Sequence, residues 1–160
     1  MRLLPSILGG LAGAVAVTLI HEVLKRTDDQ APRMDKLGME AIADGMEEMD
    51  QPVPDTRTLG TMAFIGEILA NTAYYSLTGI GRRSAAEKKG SILGIIAGLG
   101  SIFLPKPMGL NEKHSNKSAK TRLMAMGLYF LGGYIASKVT KALDEEAEEE
   151  EIEEELALAS

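Results

Sequence analysis

The chain has no cysteine and no tryptophan, and only two of its 160 residues are histidine. The first absence excludes disulfides, thiol catalysis and thiolate metal sites, and it leaves the redox compartment open. The two histidines, His21 and His114, are far apart in sequence and too few to build an imidazole metal centre. His21-Glu22 begins like a zinc-protease helix, but Lys25 stands where the second histidine belongs. A nucleophile elbow, a phosphate-binding glycine loop and a paired-carboxylate pattern are all missing. The expectation is therefore no cofactor, no metal and no nucleic-acid partner, with an enzyme last among the function classes.

An even spread of charge is also lacking. Ten of the 23 acidic residues fall in residues 144–160, which leaves 13 acids against 17 bases in residues 1–143. The body is thus near +4 and the tail −10, so the formal −6 and the mean hydropathy of zero describe neither part. A block of like charges repels itself and stays in water; on this helix-favouring composition it reads as a solvated, fraying continuation of the last helix. It leaves room for a basic partner or for cations.

What is abundant is glycine, 17 residues, alongside only 4% aromatics, a mix suited to close-packed membrane helices. Four apolar runs, at about residues 3–24, 59–81, 88–105 and 122–140, predict an all-α, polytopic membrane helix bundle. In the first run, Arg2 before an apolar core and Ala14-Val15-Ala16 also fit a signal peptide. The apolar pattern continues past that point, and three further runs favour a retained span. Gly9 and Gly13 form a GxxxG pair, and Gly90, Gly94 and Gly98 repeat every fourth residue, predicting close helix packing on those faces. The third run is short, which leaves a full span and a re-entrant segment as alternatives. Tyr129 and Tyr134 in the fourth run suit helix contacts or the lipid interface, with Lys138 and Lys141 snorkelling beyond.

Between the first two runs, residues 33–49 place Met34, Leu37, Ala41, Ile42, Met46 and Met49 on one side of a helical wheel and acids opposite. This predicts an amphipathic helix covering the mouth of the bundle. Lys113, Lys117, Lys120 and Arg122 make the later loop basic, placing it against lipid headgroups. The count of bases does not orient the bundle. Seven lie on the side of the chain ends and ten on the other, yet the second connection holds the densest cluster, Arg82, Arg83, Lys88 and Lys89. A dual-topology protein would show the same weak bias.

One acid stands inside an apolar run. Glu67 lies about 12 Å along the helix from Leu59, near the bilayer midplane. There a carboxylate costs about 3 kcal/mol or more unless it is protonated, paired or hydrated. Asn71, Tyr74 and Thr78 fall on the same face, so Glu67, Asn71, Tyr74 and Thr78 make a polar stripe. The leading expectation for it is a structural hydrogen bond in a scaffolding bundle, oligomeric through its glycine faces. The alternative is a small ion, proton or solute path centred on Glu67. A membrane enzyme, the third class, would need His21, Glu22 or His114 to converge with another polar group in one pocket.

The stretches Ala31–Glu40 (APRMDKLGME) and Leu104–Glu112 (LPKPMGLNE) resemble small uncharacterised bacterial membrane proteins with four predicted spans. The resemblance covers about residues 3–143. It implies a four-span architecture, the lipid bilayer as partner and a bacterial inner-membrane location, and it assigns no site residues.

Overall fold

A computed structural model describes residues 3–81 and 83–158; Arg82 of the basic cluster and Arg2 lie outside them. The described residues are all-helical and contain no strand. Six helices follow one another: α1 (Leu3–Thr27), α2 (Met34–Glu48), α3 (Thr56–Ser76), α4 (Ala86–Phe103), α5 (Lys113–Asn116) and α6 (Ala119–Leu158). Short 3₁₀ turns at Leu77–Gly79 and Arg83–Ala85 join α3 to α4.

Local chemistry sets the ends. After Pro52 and Pro54, the Asp55 carboxylate accepts from the Arg57 N–H at 2.9 Å and the Thr58 N–H at 3.2 Å. That cap starts α3 at Thr56, ahead of the apolar run. Ser118 does the same for α6, its hydroxyl accepting from the Thr121 N–H at 3.1 Å. α4 is one continuous helix that stops at Phe103, just before Pro105. The acidic tail does not leave the helix: α6 continues through residues 144–158, and its 40 residues make a rod of about 60 Å.

The four long helices run alternately up and down in the spatial order α3, α1, α6, α4. Glycines set the spacing. A Cβ on Gly9 would lie 2.7 Å from the Ala136 carbonyl, and one on Gly13 would lie 2.5 Å from the Gly132 carbonyl. On α4, a Cβ on Gly90 would sit 2.5 Å from Ser137 Cβ, and one on Gly98 would sit 2.8 Å from Met126 Sδ. Both glycine faces therefore press on α6 of the same chain, backbone against backbone. Gly10, which no motif singled out, does likewise toward the Ser76 amide of α3, at 2.8 Å. The interior is built from Ala14, Val17, Leu128 and Ala136 around Tyr75, whose hydroxyl donates to the Tyr129 carbonyl at 2.9 Å.

Large apolar side chains also face outward, and several hydroxyl side chains face inward. Leu19, Phe64, Leu69, Phe103 and Leu123 are all at least half exposed, while Ser6, Thr18, Thr121, Ser137 and Thr140 are buried. By length and composition, α1 is the one helix among the described residues apolar enough to cross a membrane. α3 is interrupted by Arg57, Glu67 and Asn71, α4 opens on Glu87-Lys88-Lys89, and α6 is diluted by polar residues and its tail. Four spans therefore do not follow from helix length and hydropathy alone.

Candidate functional site

α3 and α4 are neighbours in sequence but flank the bundle rather than pack along their length. At one end Tyr74 closes the seam, its hydroxyl donating to the Leu93 carbonyl at 2.9 Å. Toward the other end the two helices diverge, and α2 lies across the opening against α3. There a Cβ on Gly38 would meet Ala63 at 3.2 Å. The result is a cavity of about 720 Å³ between α2, α3 and α4, floored by Tyr129 of α6. Met34, Leu37, Ala41 and Ile42, four of the six residues assigned to the apolar side of α2, face into it. Met49 lies past the helix end and is exposed.

The stripe read from the sequence divides. Glu67, Asn71 and Tyr74 line this cavity together. Thr78 does not, because α3 tightens into a 3₁₀ turn after Ser76 and carries the Thr78 hydroxyl inward to meet Thr140 Oγ1 at 3.2 Å. The 3₁₀ turn advances each residue by more rotation than the α-helix, so an α-helical wheel places Thr78 wrongly.

A second, smaller pocket of about 160 Å³ lies on the α1 side of Glu67, lined by Thr18, His21, Glu22 and Lys25 together with Asp35, Met39, Gly60 and Phe64. Glu67 alone lines both spaces. Its Oε1 is buried and, like the neighbouring Thr18 Oγ1, has no hydrogen-bond partner among the described residues. Buried polar atoms are nearly always satisfied, so two bare ones in one pocket leave hydrogen-bonding capacity that a water or another polar group can take up. The other groups there are engaged. His21 donates from Nε2 to the Pro32 carbonyl at 3.0 Å. Glu22 is held by Lys25 at 2.6 Å and Arg26 at 2.6 Å, an ion pair at the end of α1. Burial pushes the Asp35 carboxyl up, but hydrogen bonds from Arg33 at 2.7 and 3.0 Å and the charge of Lys25 overcome it and hold Asp35 at about 2. Asp35 is thus a permanent anion at the rim of this pocket.

This second wall has a signal in the sequence. Thr18, His21, Glu22 and Lys25 recur at i, i+3, i+4 and i+7, one polar face on an otherwise apolar helix. His21 and Glu22 do converge with Glu67, as a membrane enzyme would require, but the bonds just described occupy them. His114 is elsewhere, on α5 beside Glu40 at 3.6 Å. Among the described residues no group of three metal-ligating side chains comes together.

The stretches Ala31–Glu40 and Leu104–Glu112 meet in space. Met34, Leu37 and Gly38 face Leu104, Pro105, Met108 and Leu110 across the mouth of the large cavity. The Glu40 carboxylate fixes that approach by accepting from the Asn111 N–H at 3.1 Å. No protein family, curated protein or solved structure matches the chain.

Proposed function

We propose that the chain is a four-span membrane bundle that binds and passes a small lipophilic solute in the cavity between α3 and α4, with Glu67 as its polar anchor. The observation that carries the reading is the position of Glu67, the one side chain shared by an apolar cavity of about 720 Å³ and a pocket of about 160 Å³ whose lining includes Thr18, His21, Glu22, Lys25 and Asp35. A buried carboxyl oxygen without a partner favours a guest that offers a positive charge or a hydrogen-bond donor. The apolar walls favour a guest whose remaining surface is hydrocarbon. A purely structural role for Glu67 would pair it with a neighbouring helix, and that pairing is missing among the described residues.

The membrane part of the proposal rests on the inverted distribution of side chains. Large apolar residues face outward on all four long helices, and glycine, alanine, serine and threonine face inward. In water the exposed leucine and phenylalanine would be an aggregation liability, whereas in lipid they are solvated. Helices α3, α4 and α6 cross beside α1 because their polar residues turn inward or lie at the ends. The tail portion of α6 then projects into water, since a 60 Å rod is about twice the thickness of the hydrocarbon core. The resemblance read at Ala31–Glu40 and Leu104–Glu112 is consistent with a bacterial inner membrane.

The test is equilibrium binding to the full chain in lipid nanodiscs, using the lipophilic cation tetraphenylphosphonium and the neutral triphenylphosphine oxide, followed by flux of the cation into proteoliposomes. Wild type should bind the cation saturably and in preference to the neutral compound. Glu67→Gln should weaken cation binding about 10-fold or more, since removing the carboxylate charge from a partly desolvated ion pair costs about 1.4 kcal/mol or more. Unchanged binding and flux in a folded Glu67→Gln protein would overturn the proposal.

A further inference from the structure

At the end of the bundle where α1 stops and α2 begins, a third space of about 240 Å³ opens. Five permanent cations line it, Lys25, Arg33, Lys36, Lys113 and Lys117, with His114 beside them and only Asp28 and Asp29 of opposite sign. They come from three separate parts of the chain: the end of α1, the start of α2, and α5 with the turn after it.

The pairing of these charges leaves an excess. Lys25 is held by Glu22, and Arg33 is held by Asp35. Asp28 is already taken by Lys120 from outside the space, at 2.5 Å, and accepts the Gln30 N–H as well. Lys117 donates to the Asp29 carbonyl, which neutralises nothing. Lys36 and Lys113 have no acidic partner among the described residues, and against Lys36, Lys113 and Lys117 stands a single free carboxylate, Asp29. Gathering like charges around a concave space is unfavourable unless something there compensates them.

The walls are fixed rather than mobile side chains meeting by chance. The Arg33 N–H donates to the His114 carbonyl at 2.7 Å, joining the start of α2 to α5. Thr121 donates to the Gln30 carbonyl at 2.8 Å and His21 to the Pro32 carbonyl at 3.0 Å, pinning the connection between α1 and α2 to α6 and α1. Helix dipoles do not decide the preference, because α1 ends and α2 begins here and their fields oppose each other. The lysine and arginine side chains set it.

We propose that this basic pocket binds a phosphate group, either as free inorganic phosphate or phosphomonoester, or as the phosphodiester of an anionic lipid headgroup. Lysine ammonium groups on flexible stems suit a multiply charged oxyanion, and Arg33 adds a planar donor at the rim. Basic pockets at the ends of membrane helices hold anionic headgroups in this way. The space shares no lining residue with the large cavity, and it meets the small pocket beside Glu67 only at Lys25.

The experiment uses the full chain with Lys36→Gln and Lys113→Gln combined, against a control with Arg57→Gln and Lys88→Gln, two exposed cations outside the pocket. Circular dichroism first establishes that both variants fold. One arm titrates inorganic phosphate into protein in a neutral maltoside detergent, at constant ionic strength set with chloride, and reads the shift in unfolding temperature. The other measures retention of phosphatidylglycerol, relative to phosphatidylcholine, by native mass spectrometry. The proposal expects saturable binding in wild type and control, and at least 10-fold weaker binding in the pocket variant. A phosphate response assigns the soluble anion; selective retention of phosphatidylglycerol without it assigns the lipid. If wild type and pocket variant respond alike in both arms, or neither responds, the pocket does not bind phosphate.

Discussion

Replacing Gly94 by alanine adds one methyl group where two helix backbones touch. The new Cβ would lie 2.7 Å from both Phe130 Cα and the Tyr129 carbonyl oxygen. Ordinary carbon contacts sit near 3.5–4 Å, so α4 and α6 must separate by about 1 Å. No rotamer can relieve the clash, because both neighbours are backbone. Overpacking of this kind costs about 1–3 kcal/mol. It also loosens the flanking approaches at Gly90 and Gly98, which share the interface. Against this, alanine gains about 1 kcal/mol over glycine in a helix interior. The net expectation is a loss of up to about 2 kcal/mol. Gly127 on α6 is the control, since a Cβ there meets nothing within 4 Å. Gly127→Ala keeps the intrinsic gain and should stabilise by about 0.5–1 kcal/mol. Unfolding of both variants by sodium dodecyl sulfate in mixed micelles, followed by far-ultraviolet circular dichroism, measures the difference. A Gly94→Ala midpoint at or above wild type, or a Gly127→Ala protein that falls as far, would refute the backbone-contact reading of the glycine repeat.

Other outcomes follow from single contacts. Tyr75→Phe removes one donor to the Tyr129 carbonyl and leaves that carbonyl unpaired by a side chain, so the midpoint should fall by about 1 kcal/mol in the same assay. Asp35 lies at about 2 in the folded chain against an ordinary 3.8. Its contribution is therefore complete above pH 4 and is lost as the pH falls from 4 toward 2. Discounted for partial exposure, it amounts to about 1 kcal/mol. Asp35→Asn should be less stable than wild type at pH 7, and the two acid-unfolding curves should converge near pH 2; a constant gap across that range would contradict the ion-pair assignment. Truncation after Ala147 removes exposed helix, so the molar helical signal should drop while the unfolding midpoint stays unchanged.

Much of the helical layout was legible in the sequence, because an apolar run or a 3.6-residue stripe carries its own conformational preference. α1 and α2 follow the runs that announce them. The starts of α3 and α6 were harder to read, since Asp55 and Ser118 are capping signals outside the apolar windows. The tail was readable as a continuation of the last helix: glutamate and alanine favour helix strongly enough for α6 to run on to Leu158.

For the candidate site, the sequence by itself determined that Glu67, Asn71 and Tyr74 share a face and that an acid stands in an apolar helix. It also determined which faces are smooth enough, at Gly9, Gly13, Gly90, Gly94 and Gly98, for a backbone to approach. Only the tertiary structure decided what meets those faces. α6 fills both glycine surfaces, and α3 and α4 are thereby held apart on opposite sides of the α1–α6 pair. A helix wheel gives the direction of each side chain about its own axis and says nothing about the distance to the next helix. That distance is set by glycines on α1, α4 and α6, and it turns a polar stripe with an awkward acid into a carboxyl between two cavities.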